Sequence, residues 1–89
     1  MMTKNEFLKS IGTMNRYSLL ARMQSDCDYI INTSEGSYKE FKHLWARNPQ
    51  EQITYMRYLF DSFLDDEKPD WICEADIDKY EKALVKEEA

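Results

Sequence analysis

NPQEQITYMRYLF, from Asn48 to Phe60, carries both a helix start and a helix face. Asparagine is a good N-cap because its side-chain oxygen accepts from a first-turn N–H that has no partner inside the helix. Proline suits the first helical position, where its missing N–H costs nothing and its fixed φ is already helical. Glu51 falls at the third position, near the positive end of the helix dipole. Beyond the cap, Ile53, Met56, Phe60 and Phe63 recur at helical intervals, widened by Leu59 and Leu64. That period predicts a buried helix over 49–64, with Tyr55 and Tyr58 flanking the stripe.

The same rules extend outward. Thr3-Lys4-Asn5-Glu6 has the form of a capping box, followed by Phe7, Leu8 and Ile11 and a terminating Gly12, so a helix is expected over 4–11. A second helix is expected over 15–32. Its stripe is Tyr17, Leu20, Cys27 and Ile31, with Met23 and Ile30 beside them. Residues 32–37, NTSEGS, have turn composition. Tyr38, Phe41, Leu44 and Trp45 fit a short helical or 3₁₀ segment near 38–46. The run Asp65-Asp66-Glu67-Lys68-Pro69 reads as a loop. A last helix is expected over 74–87 on Ile77, Tyr80 and Leu84, with Cys73 at the cap and Trp71 stapled to Ile77. Four helices with short connections give an all-α bundle.

Composition agrees. Eighty-nine residues make one domain, 1–89, and 43% hydrophobic and 13% aromatic content can fill one core. Two glycines and two prolines are too few for the turns of a β-sandwich or barrel. No run approaches the ~20 apolar residues of a membrane span, and the first ten residues hold no signal core. The expected location is therefore the cytoplasm, where Cys27 and Cys73 stay free thiols. Charge is uneven. Residues 1–60 hold 8 Lys/Arg against 6 Asp/Glu, a balance of +2; residues 61–89 hold 4 against 11, a balance of −7. An acidic third disfavours direct nucleic-acid binding, which rests on cationic contacts.

Few residues can carry chemistry. The one histidine, His43, could join Cys27 as a metal ligand, with Cys73 and Asp26 or Asp28 completing the set. No CxxC, CxxH or HxxxH pair supports such a site, so no cofactor is expected. His43 is then a polar neighbour of a packed corner, hydrogen-bonded to Asp26 or Asp28. A Cys/His nucleophile is disfavoured as well: Asp26 and Asp28 flank Cys27, Asp70, Glu74 and Asp76 lie near Cys73, and anions make thiolate scarce. The cations Arg16, Arg22, Lys39, Lys42, Arg47 and Arg57 could form a basic face with Tyr38 and Trp45. Interspersed Asp26, Asp28, Glu35 and Glu40 cancel it. No catalytic residue is expected.

SDCDYI (25–30), KHLWARNPQEQITYM (42–56) and EKPDWICEADIDKYEK (67–82), in that order, resemble the eleventh class of large polyvalent protein-associated domain, found in phages and conjugative elements. The resemblance covers roughly residues 14–82. Where that family carries a glycine after the HLWA string, this chain has Arg47, and Cys73 stands where a threonine is usual. The resemblance implies a non-enzymatic accessory factor of mobile elements, working in the bacterial cytoplasm against host defences. Combined with the charge distribution, it leads to the expectation of a binding inhibitor. Asp61, Asp65, Asp66, Glu67 and Asp70 would block a nucleic-acid site on a host defence nuclease such as a CRISPR effector, with Tyr38 and Trp45 as anchors. The alternative is a non-inhibitory structural or regulatory module of the element, with or without a stabilising metal.

Overall fold

The computed structural model describes residues 1–12, 15–33 and 44–85. Four helices are present: α1 (Lys4–Ile11), α2 (Arg16–Thr33), α3 (Pro49–Ser62) and α4 (Glu74–Leu84). One 3₁₀ turn, Asp65–Glu67, stands between α3 and α4 where the sequence suggests plain loop. No strand occurs among the described residues, and the fold is a small all-α bundle. No helix is long and apolar enough to cross a membrane among the residues described.

The caps form as their residue types require. Thr3 accepts from the Glu6 N–H at 3.3 Å, and the Glu6 carboxylate accepts from the Thr3 N–H at 2.9 Å. That N–H holds the Glu6 carboxyl below its ordinary value. Asn15 caps α2 by accepting from the Tyr17 and Ser18 N–H groups. Asn48 accepts from the Glu51 N–H at 3.0 Å, and Pro49 occupies the first turn of α3. At α4 the Asp76 carboxylate accepts from the Cys73 N–H at 3.0 Å. The apolar residue just before that cap is Ile72, which is buried like Ile77, whereas Trp71 is exposed. The expected staple position therefore belongs to Ile72. α4 ends at Leu84, and residues 86–87 of its expected range lie outside the described residues.

α3 is the central element: α1, α2 and α4 all pack on it, and α2 also meets α4. Ile53, Met56 and Leu59 are at most 1% exposed. Each such side chain contributes about 1.5–3 kcal/mol on burial. The buried face is wider than the expected stripe and takes in Tyr55, whose ring stacks on Phe7 of α1 at 4.4 Å. Leu64 does not belong to it. α3 stops at Ser62, Phe63 turns extended, and Leu64 is left 67% exposed. On α2 the core face is Leu19, Leu20, Met23, Cys27 and Ile30, rotated from the expected stripe. Tyr17 is exposed and Ile31 half-buried.

The expected helical segment near 38–46 lies mostly outside the described residues; those at 44–47 form a turn closed by Arg47 N–H donating to the Leu44 carbonyl at 3.0 Å. Leu44 is buried. Trp45 N–H donates to Asp26 Oδ2 at 3.0 Å, and Ala46 N–H to Gln52 Oε1 at 3.0 Å. Gln52 is fully buried, and its Nε2 donates to the Met23 carbonyl and to Asp26 Oδ2. Arg47 has φ 60, a left-handed conformation that strains a residue with a Cβ.

Two stability measurements test this turn. Gln52→Ala removes the acceptor from the Ala46 N–H and empties a buried site, and it should lower unfolding stability by about 2–4 kcal/mol. A loss below about 1 kcal/mol in urea titration would mean that Leu44 and Trp45 hold the turn without it. Arg47→Gly relieves the left-handed strain and should be about 0.5–1 kcal/mol more stable than Arg47→Ala, which keeps it. Equal midpoints for the two variants contradict the strain.

Candidate functional site

The end of α3 explains the character of the segment that follows. The last carbonyls of a helix have no partner within it. Here side chains supply donors: Lys68 Nζ reaches the Phe60 and Phe63 carbonyls at 3.2 and 2.8 Å, and Arg16 reaches the Ser62 carbonyl at 3.3 Å. Lys68 also sits 5.1 Å from the Phe60 ring centre, and Arg16 5.2 Å from that of Phe63. Both cations are thus folded onto the helix end, where the dipole favours them.

Lys68 is the one cation between Asp61 and Asp70, and it faces inward. Asp65, Asp66, Glu67 and Asp70 face solvent, and none makes an ion pair among the described residues. The turn is held from the α2 side. Tyr17 Oη donates to the Glu67 carbonyl at 2.6 Å, and its ring stacks on Phe63 at 4.3 Å. Further along α2, Gln24 Nε2 donates to the Trp71 carbonyl at 3.4 Å. Residues 63–71 therefore lie along one side of α2 as a fixed acidic corner.

Of the residues expected to bind a partner, four come together there: Asp65, Asp66, Glu67 and Asp70. Asp61 is exposed but bonded to Lys4, which holds its carboxyl below the ordinary value. Trp45 lies elsewhere. It is half-buried, edge-on to Phe7 and Tyr55, and its backbone N–H is tied to Asp26. Asp26 stands about 13 Å further along α2 than Tyr17, at 1.5 Å per residue. Tyr38 lies outside the described residues.

The basic face that the sequence disfavours is not assembled by the described residues either. Arg16 serves the end of α3, and Arg57 is paired with Asp78 at 2.8 Å and Glu81 at 3.1 Å. Lys39 and Lys42 lie outside the described residues. A cleft of about 300 Å³ between α1, α3 and α4 is lined by Lys4, Arg57, Asp61 and Glu74 with Phe60 and Ile77. Three of its four charged groups already hold ion pairs.

The thiols differ sharply. Cys27 is fully buried, with Sγ 3.8 Å from Met56 Sδ, and burial pushes its pKa up to about 12, helped by Asp26 and Asp28. Cys73 is exposed at the start of α4, with Sγ 3.5 Å from Asp76 Oδ2. No group of three His, Cys, Asp or Glu side chains among the described residues could hold a metal ion. His43 lies outside them; of its two suggested partners, Asp26 and Asp28, Asp26 already accepts from Trp45 and Gln52. Sequence reasoning missed the roles of Gln52, Lys68 and Gln24. A buried glutamine in an apolar stripe and a lysine just past a helix end were the available signals.

The raised Cys27 pKa has a measurable consequence. Folding favours the protonated thiol, so its contribution is complete below the ordinary value of 9.0 and is lost as pH rises toward about 12. The Tyr80 hydroxyl, also pushed up by burial and by Asp28, acts in the same direction from 10.0 upward. Unfolding midpoints should therefore fall above pH 9, with a shallower fall in Cys27→Ala. A thiol reagent near pH 8 should titrate one cysteine in the native chain, Cys73, and both in denaturant. An identical pH slope in Cys27→Ala, or two fast native thiols, would contradict the burial.

A family model for large polyvalent protein-associated domain 11 matches residues 13–84. No curated protein and no solved structure matches. The matched span takes in α2, the 44–47 turn, α3, the acidic corner and α4, and it leaves α1 outside. On that match the chain belongs to the large polyvalent protein-associated domain 11 family, a domain class of mobile elements.

Proposed function

We propose that this chain is a non-catalytic accessory protein of a phage or conjugative element, acting in the bacterial cytoplasm by binding a host defence nuclease such as a CRISPR effector. The acidic corner lies over the nuclease's nucleic-acid site and excludes its substrate. The observation that carries this reading is the solvent-facing set Asp65, Asp66, Glu67 and Asp70, left without cations because Lys68 is turned onto the end of α3. Uncompensated carboxylates on a fixed turn complement a Lys/Arg-lined groove and speed encounter with it. They repel nucleic acid itself.

The test is inhibition of purified CRISPR effectors and other defence nucleases, with complex formation measured across a salt titration. Binding should weaken steeply as salt rises. Asp65→Lys, Asp66→Lys and Glu67→Lys combined should lower inhibition at least about tenfold while stability changes by about 0.5 kcal/mol or less, since the three side chains are exposed. Undiminished inhibition by the triple variant, or no complex with any nuclease at low salt, sinks the proposal. A complex that leaves nuclease activity intact would instead favour a non-inhibitory module.

A further inference from the structure

We infer that the corner at 63–71, with the start of α2, is a mixed apolar and acidic docking surface, and that its occupant is a basic amphipathic segment of another protein. The inference rests on the binding role proposed above and names the anchoring side chains and the chemistry they meet. Five large hydrophobic residues are exposed among those described, and three of them border this corner: Tyr17 at 41%, Leu64 at 67% and Trp71 at 42%. Single exposed apolar residues are ordinary, but their gathering beside one turn marks a contact surface.

The three are placed by the interactions that build the corner. Tyr17 is held by its stack on Phe63 and its bond to Glu67. Leu64 is turned outward because α3 ends before it. Trp71 is fixed through its carbonyl by Gln24. Surfaces ordered before binding lose less entropy on association. Tryptophan and tyrosine are also the residues that most often dominate interface energetics.

Charge selects the occupant. Asp65, Asp66, Glu67 and Asp70 would repel nucleic acid, an anionic lipid surface, or the same corner of a second copy. A cationic partner remains, and Leu64 and Trp71 require that it also present apolar or aromatic side chains. Protein grooves that hold single-stranded nucleic acid have this composition, with Lys/Arg along the backbone track and aromatic residues that stack bases.

The test uses two synthetic basic peptides of equal length and charge, titrated into the full chain by NMR at low and physiological salt. One places Leu and Trp on a single helical face between its lysines; the other carries Ser at those positions. The amphipathic peptide should bind about tenfold more tightly or better and shift the Trp71 indole and Leu64 methyl resonances. Leu64→Ser with Trp71→Ser should abolish that advantage while the chain stays folded, with an unchanged helical circular-dichroism spectrum. Asp65→Lys with Asp66→Lys should weaken both peptides. Equal binding by the two peptides overturns the apolar anchors and leaves the acidic role standing; binding by neither overturns both. Concentration-dependent self-association abolished by the Leu64 and Trp71 changes would make a second copy the occupant and overturn the inference.

Discussion

A loop brought against a helical core must find partners for its backbone N–H groups, and in this chain Gln52 and Asp26 meet that constraint. Gln52 is the one buried polar residue among those described, and its amide bonds the Ala46 N–H, the Met23 carbonyl and Asp26. Asp26 in turn takes the Trp45 N–H. Without such acceptors, burying Leu44 would strand donors next to apolar surface, which costs more than an ordinary hydrogen bond returns. No buried side-chain nitrogen or oxygen among the described residues lacks a partner. The arrangement also accounts for Arg47 in a left-handed conformation: the chain must turn sharply between buried Leu44 and the Asn48 cap.

The helices were legible because their signals are local. Thr3 with Glu6, and Asn48 with Pro49, each satisfy first-turn donors within a few residues, so the start of a helix can be read without knowing the fold. Helix ends and helix faces were less legible. α3 stops at Ser62 because Lys68 and Arg16, distant in sequence or beyond the helix, take up its final carbonyls. The face of α2 is rotated because Leu19 packs inward while Tyr17 is drawn to Phe63 and Glu67. Leu64 reads as core for the same reason: an apolar residue beside a helical stripe looks buried unless the place where the helix ends is known.

Those same interactions shape the candidate site. In the primary sequence Lys68 dilutes the acidic run; in the fold it is withdrawn, and the exposed charge of the corner is more negative than the residue order implies. Four carboxylates of the site were therefore readable from composition, while their lack of compensation was not. The two tryptophans differ in ways that the sequence does not show. The Trp45 ring is half-buried beside Phe7 and Tyr55, whereas Trp71 is exposed.

α1 lies outside the span that matches the family, yet it is integral to this chain's core. Phe7 is fully buried against Tyr55, Tyr58 and Trp45, and the Tyr58 hydroxyl donates to the Met2 carbonyl. Lys4 bonds Asp61 across the same junction. α1 therefore covers one side of α3 and removes Asp61 from the pool of free carboxylates. α4 covers another side, with Arg57 neutralised by Asp78 and Glu81. With those faces closed by packing and paired charge, the corner between α3 and α4 is where unpaired acid and exposed apolar surface coincide among the described residues. That coincidence follows from how α3 is terminated: the cations that complete its last turn are the ones that would otherwise have neutralised the corner.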